Sequence, residues 1–246
     1  FDSFKELRYL IGKKDIIARG EGKSYYDQSY SKQEVISTVK LNKILSFDKE
    51  TGLLECESGI TLEKIIKTFL PSGWFPYVVP GTKKLTIGGM IAANIHGKNH
   101  HKVGGMVNFV EAITLYDGQN LLKCSRKDKS DLFFSTFGGM GLTGLIVSCK
   151  IRLNNIKTTK ITSKNIPTNG IHDMLKKLRE NSENEFIVGW MDLVNRDLRG
   201  IIFCGDLSKE KIEPNYKVRF FSIKLPIKLL SMFFNRTSVR LFNKCL

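Results

Sequence analysis

Three glycine-rich turns constrain this chain more than any other feature. The first is Ala18-Arg19-Gly20-Glu21-Gly22-Lys23-Ser24-Tyr25-Tyr26-Asp27. The second begins at Pro80-Gly81-Thr82, continues through Thr86-Ile87-Gly88-Gly89, and ends at His96-Gly97-Lys98-Asn99-His100-His101. The third is Gly138-Gly139-Met140-Gly141-Leu142-Thr143-Gly144. Glycines at this density expose backbone N–H groups and let a ligand approach the main chain closely. The lysine, histidines and asparagine that follow the second turn suit an anionic ligand with ring nitrogens and oxygens to satisfy. Three such turns in one domain point to an extended ligand with a pyrophosphate, not a lone phosphate.

Two common nucleotide motifs are excluded. The first turn does not continue as Gly-x-Gly-x-x-Gly, because position 25 is tyrosine, and the third is not followed by Gly-Lys-Ser/Thr. His96, His100 and His101 lack the His-Glu-x-x-His pattern and have no nearby cysteine or carboxylate, so no metal is expected.

With 246 residues, 41% of them hydrophobic, the chain is long enough for one large domain or two modest ones with a real core. No apolar run approaches the length that spans a bilayer. The five cysteines, Cys56, Cys124, Cys149, Cys204 and Cys245, are widely spaced and form no Cys-x-x-Cys pair. Cys56, Cys124, Cys149 and Cys204 sit in strand-like apolar runs and read as buried free thiols, and a reducing, cytoplasmic setting fits best. The net charge is +15, and from Lys217 to Leu246 there are basic residues but no acid. Such a segment suits a phosphate-bearing substrate, an anionic membrane surface or nucleic acid. Its aromatics, Phe220, Phe221, Phe233, Phe234 and Phe242, carry no nucleic-acid-binding signature, and no nucleic-acid partner is expected.

Periodicity predicts a strand over Lys14–Ala18 and another over Leu53–Ser58. Thr61 is placed to cap a helix ending near Leu70, with Leu62, Ile65, Ile66 and Phe69 on one face and Pro71 and Gly73 as stops. A short small-residue helix is expected over Thr86–Asn94. Val107–Tyr116 and Leu121–Ser125 read as a hairpin around Asp117-Gly118. A helical turn over Asp131–Phe137 and a strand over Leu142–Leu153 follow. A new strand begins near Lys157. After it come a helix over His172–Asn181, with Met174, Leu175 and Leu178 inward, and strands over Phe186–Leu193 and Gly200–Cys204. The composition shift places a domain boundary near Asn155, giving domains 1–155 and 156–246.

Taken in order, the three turns resemble the flavin-binding portion of the vanillyl-alcohol-oxidase/p-cresol-methylhydroxylase (PCMH-type) superfamily. Within it they are most similar to the decaprenylphosphoryl-β-D-ribose 2′-oxidase branch, to which the run His96-Gly97-Lys98-Asn99-His100-His101 is specific. The resemblance covers most of residues 15–155 and continues weakly beyond. It implies an α+β protein, with a PCMH-type FAD-binding domain of two α/β subdomains followed by an incomplete α+β substrate domain with an antiparallel sheet. It also implies FAD. The cofactor would be held by Ala18, Arg19, Gly20, Glu21, Gly22, Lys23, Ser24, Tyr25, Tyr26 and Asp27, with the diphosphate over Arg19 to Tyr25. Gly81, Thr86, Ile87, Gly88 and Gly89 would continue the cradle. His96, Gly97, Lys98 and Asn99 would lie beside the isoalloxazine, and Ile146 would face the adenine side. Lys23 stands where many relatives carry the histidine that binds FAD covalently, so non-covalent FAD is expected. Tyr26 replaces a glycine of those relatives, so the turn after Tyr25 is expected to differ. Glu21 is expected to face solvent.

The implied chemistry is oxidation of a secondary sugar hydroxyl by hydride transfer to flavin N5, with Tyr25, His96 and Lys98 lining the reaction zone. The implied substrate is a polyprenyl-phosphoryl ribose oxidised at its 2′-OH, in the supply of arabinose for cell-envelope glycans. An NAD(P)-dependent reductase would be a partner, and the protein would be cytoplasmic with peripheral membrane contact. In this family a lysine and a tyrosine near the flavin come from a C-terminal segment, so the chain is expected to be a fragment of a longer protein. Two other readings stand beside this one: an FAD oxidase for a soluble aldonolactone or alditol, and a non-enzymatic basic anion or nucleic-acid binder.

Overall fold

The structure, a computed structural model, describes residues 16–210 and 235–244. Lys14 and Asp15, most of the basic segment from Lys217, and Cys245 lie outside the described residues. The chain divides into two units, 1–157 and 158–246.

The first unit begins with a parallel pair, β1 (Ile16–Arg19) and β2 (Glu34–Ser37). Parallel strands need a crossover. Here residues 20–33, which contain the first glycine turn, make it without a helix. Ile36 joins Leu41, Tyr116, Leu145 and Val147 in one core cluster, with Ile16 and Ala18 packed against it.

A larger antiparallel sheet supplies the rest of the scaffold. Its strands are β3 (Ile44–Asp48), β4 (Leu53–Glu57), β6 (Val110–Tyr116), β7 (Leu121–Ser125) and β8 (Leu145–Asn155), in the order β3-β4-β8-β6-β7. A short β5 (Trp74–Pro76) pairs with the far end of β8. Central β8 is buried at every residue from Leu145 to Cys149. It then alternates, with Ile151 and Leu153 inward and Arg152 outward. The first half therefore reads as a fully covered strand and the second as a half-covered one.

Helix α1 (Leu62–Phe69) forms as its cap predicts. Thr61 Oγ1 accepts the Lys64 N–H at 3.2 Å, and Leu62, Ile65, Ile66 and Phe69 are all buried. A 3₁₀ turn over Leu70–Ser72 carries Pro71, and Gly73, at φ 82°, ends it. The small-residue helix α2 (Ile87–Ala92) is capped by Thr86 Oγ1, which accepts the Gly89 N–H. One turn, α3 (His100–Val103), and a 3₁₀ turn over Met106–Phe109 lead into β6. The β6–β7 hairpin therefore starts three residues later than its apolar pattern suggests, because Met106 N–H is drawn to Ile95 O at 3.0 Å. Helix α4 (Ser130–Thr136) precedes the third glycine turn. β8 likewise starts three residues later than expected, since the Leu142 N–H closes a turn onto Gly139 O and its side chain is 85% exposed.

The second unit is an antiparallel sheet of β9 (Ile161–Asn169), β10 (Phe186–Met191) and β11 (Arg199–Leu207), in the order β10-β11-β9, with helix α5 (Gly170–Glu180) against it. Its core holds Met174, Ile202 and Cys204, with Ile166, Leu178, Ile187 and Met191 around them. Leu175, expected inward, is 46% exposed. Met174 and Leu178 stand four residues apart on one helix face, and Leu175 is rotated about 100° from Met174, off that face. Helix α6 (Arg236–Lys244) is tied to this unit by Asn243 Nδ2, which donates to the buried Asp192 carboxylate at 2.7 Å. The α+β class and the antiparallel second sheet are as expected. No helix among the described residues is long and apolar enough to cross a membrane.

Met174→Ala is expected to destabilise the second unit by about 2–4 kcal/mol, whereas Leu175→Ala should change it by less than about 0.5 kcal/mol. Urea unfolding of the two variants checks this.

Candidate functional site

The three glycine turns converge because main-chain groups bind one another directly. Arg19 O, at the end of β1, accepts both the N–H and the hydroxyl of Thr38, at 2.9 and 3.3 Å. Past β4, the Ser58 N–H donates to Val147 O on β8. Ser58 O then accepts the Gly88 N–H at 2.7 Å, and Ile60 O accepts the Ile87 N–H at 2.9 Å. The third turn joins through the Met140 N–H, which donates to Ala92 O at 3.0 Å. Some of these close approaches require glycine: a Cβ on Gly20 would lie 2.1 Å from Thr86 Oγ1, and one on Gly88 would lie 2.9 Å from Ser58 Cβ.

Between these turns runs a cleft. Its middle is lined by Ala18, Gly20, Ser24, Thr38, Ser58, Gly88, Gly89, Met140, Gly141 and Ile146, among others. At one end it continues past Glu21, Gly22, Lys23, Leu85, Thr86 and Ile95. At the other it opens beside Ile16, Ile36, Tyr116, Gly118, Leu142 and Leu145. The shape is elongated, and all three turns contribute walls.

The donors are unevenly distributed. The N–H groups of Gly20 through Tyr26 find no acceptor among the described residues. Those of Gly20 to Ser24 belong to residues that line the cleft, a run of free amides suited to phosphate oxygens. The N–H groups of Ile87, Gly88 and Gly89 are already taken by Ile60 O, Ser58 O and Thr86 Oγ1. Gly88 and Gly89 therefore offer a ligand closeness, not donors, and Ile87 is buried away from the cleft.

Of the residues singled out in the sequence, the cleft brings together Ala18, Gly20, Glu21, Gly22, Lys23, Ser24, Thr86, Gly88, Gly89 and Ile146. The others stand off its walls. Arg19 folds back, its Nη1 donating to Ser29 O. Tyr25 and Tyr26 are 83% and 97% exposed, and Asp27 and Gly81 are exposed. Glu21 is exposed as well. Tyr26 takes a left-handed backbone, φ 56°, a conformation that glycine adopts without strain. His96 and Lys98 are exposed on the turn after cleft-lining Ile95, and the His96 and His100 rings are 5.2 Å apart. Gly97 is buried. Asn99 turns inward, where its Nδ2 donates to Tyr77 O at 3.0 Å.

Sequence reading missed Thr38 and Ser58 on the floor, and Tyr116 and Gly118 at one end. None belongs to a glycine turn; only strand pairing brings them here. The described cysteines are free and buried. Cys56 Sγ and Cys149 Sγ lie 3.9 Å apart across β4 and β8. The hydrogen bond to Cys56, together with burial, holds the Cys149 thiol well above its ordinary pKa, so it is no nucleophile.

Residues 11–124 match the FAD binding domain family. Over these residues the chain carries an FAD binding domain. FAD is its cofactor, and the cleft fits it: free amides for a diphosphate and walls of small residues that let a ligand approach the main chain. The chain is 32% identical over 206 residues to decaprenylphosphoryl-beta-D-ribose oxidase of Mycolicibacterium smegmatis, covering 80% of this chain and 45% of that protein. It is 26% identical over 165 residues to human Delta(24)-sterol reductase, covering 65% of this chain and 32% of that protein. Over 81 residues it is 35% identical to D-lactate dehydrogenase of Anaerostipes hadrus, covering 33% of this chain and 17% of that protein. The chain thus spans less than half the length of these relatives.

Gly20→Ala is expected to weaken FAD binding at least about tenfold, because the new methyl displaces Thr86; fluorescence titration checks it. Tyr26→Gly should raise Tm by about 2 °C, since relief of left-handed strain exceeds the added chain entropy.

Proposed function

We propose that the protein is an FAD-dependent oxidoreductase acting on a secondary hydroxyl of a sugar, with the 2′-OH of a polyprenyl-phosphoryl ribose as substrate. The observation that carries this reading is the exposed turn His96-Gly97-Lys98. It directly follows Ile95 at one end of the cofactor cleft, and its residues recur in the branch that the chain resembles. The likeness to decaprenylphosphoryl-beta-D-ribose oxidase supports the substrate class.

When bound, FAD supplies a two-electron acceptor that takes a hydride from a carbinol carbon. The chain's own residues do the rest. The free amides from Gly20 to Tyr26 bind the diphosphate without burying a countercharge. The His96 imidazole orients the reacting hydroxyl and draws off its proton. The Lys98 ammonium, exposed at the same turn, holds the substrate phosphate, and Tyr25 closes the reaction zone. The ketone so formed calls for an NAD(P)-dependent reductase to complete an epimerisation. A lipid-phosphate substrate places the enzyme in the cytoplasm at the membrane surface, which the basic C-terminal segment favours.

A visible spectrum of the purified protein tests the cofactor. Flavin bands are expected, and acid precipitation should move them to the supernatant; colour left in the pellet would show a covalent link. Anaerobic addition of polyprenyl-phosphoribose should then bleach the flavin. Bleaching by a soluble alditol or aldonolactone alone would transfer the reading to that substrate. His96→Ala should slow bleaching about 100-fold or more while FAD stays bound.

A further inference from the structure

Ser58 ends β4 on the floor of the cleft. It is 1% exposed, and its Oγ has no hydrogen-bond partner. Every other polar group of the residue is used: its N–H donates to Val147 O, and its carbonyl accepts the Gly88 N–H. The backbone is therefore clamped between β8 and α2, and only χ1 is free to choose a direction. Buried hydroxyls are almost always paired, because leaving one without a partner costs stability. Thr38, the other buried hydroxyl on this floor, follows the rule by donating to Arg19 O.

Space around Ser58 is held open on the ligand's side. Gly88 carries no side chain, and a Cβ there would lie 2.9 Å from Ser58 Cβ and 3.5 Å from Oγ. Gly88, Gly89 and Ser58 line the same part of the cleft. This is also where α2 has no donors to give, its first N–H groups being already committed.

We propose that Ser58 is a cofactor-binding residue: on FAD binding its hydroxyl rotates to the next staggered χ1 position and donates a hydrogen bond to an oxygen of the dinucleotide. The floor thereby supplies the side-chain donor that the start of α2 cannot. This rests on the assignment of FAD to the cleft. The hydroxyl is a cost in the free protein and a gain in the complex, so its removal has opposite effects on the two states.

The experiment compares wild-type protein and Ser58→Ala, freed of flavin and titrated with FAD, with Tm measured with and without the cofactor. Ser58→Ala is expected to weaken FAD binding about fivefold to tenfold, to raise the Tm of the flavin-free protein, and to shrink the Tm gain on adding FAD. Competition by ADP locates the contact. An equal loss of ADP affinity assigns the hydroxyl to the adenosine diphosphate half, and an unchanged ADP affinity assigns it to the flavin half. Unchanged FAD affinity with a lower flavin-free Tm would overturn the proposal and make Ser58 a packing residue. Wild-type protein that binds no FAD would overturn the cofactor assignment, and this proposal with it.

Discussion

The cleft depends on one junction, where the carbonyls of Ser58 and Ile60 take the N–H groups of Gly88 and Ile87 at 2.7 and 2.9 Å. Through it α2 is fastened to the end of β4, and through Ser58 N–H to Val147 O it reaches the central strand β8. Such contacts leave no room for side chains, which is why the chain spends glycines there. Gly59 makes the same point, since a Cβ on it would lie 1.8 Å from Thr38 O. Gly88 serves the fold before it serves a ligand.

The two ends of the binding region therefore work by different physics. The first turn stays outside any ladder and keeps its amides unpaired, so it can offer donors to an anion. The start of α2 is fully paired and offers only a surface that a ligand can approach. An anionic cofactor laid between them gains hydrogen bonds on one side and van der Waals contact on the other. The imidazole and ammonium of His96 and Lys98 stand on an exposed turn, held from beneath by the Asn99 amide on Tyr77 O. Tyr77 is itself fixed by stacking on Phe109, with ring centroids 4.1 Å apart. The turn that carries the proposed chemistry is rigid below and open above.

Much of the scaffold was legible because its signals are local. Thr61 caps α1, and the four apolar residues spaced behind it are the ones buried, since a cap and a 3.6-residue stripe need no knowledge of the rest of the chain. Element starts were less legible. β6 and β8 both begin three residues late, because the Met106 N–H is claimed by Ile95 O and the Leu142 N–H by Gly139 O. Leu175 was misread because the helix packs through a narrow stripe on a three-stranded sheet, wide enough for Met174 and Leu178 only.

By itself the sequence determined where the chain must bend, which residues bring positive charge and imidazole to those bends, and that an extended anionic ligand was to be met by main chain. A glycine in a turn declares itself without neighbours. Tertiary structure alone decided which of those amides remain free. It also decided that Thr38 and Ser58 share a floor with turns 11 to 106 residues away along the chain, and that Asn99 faces inward beside outward-facing His96 and Lys98. Those outcomes depend on which carbonyl reaches each N–H first, and strand pairing across the whole unit sets that, not any local run of residues.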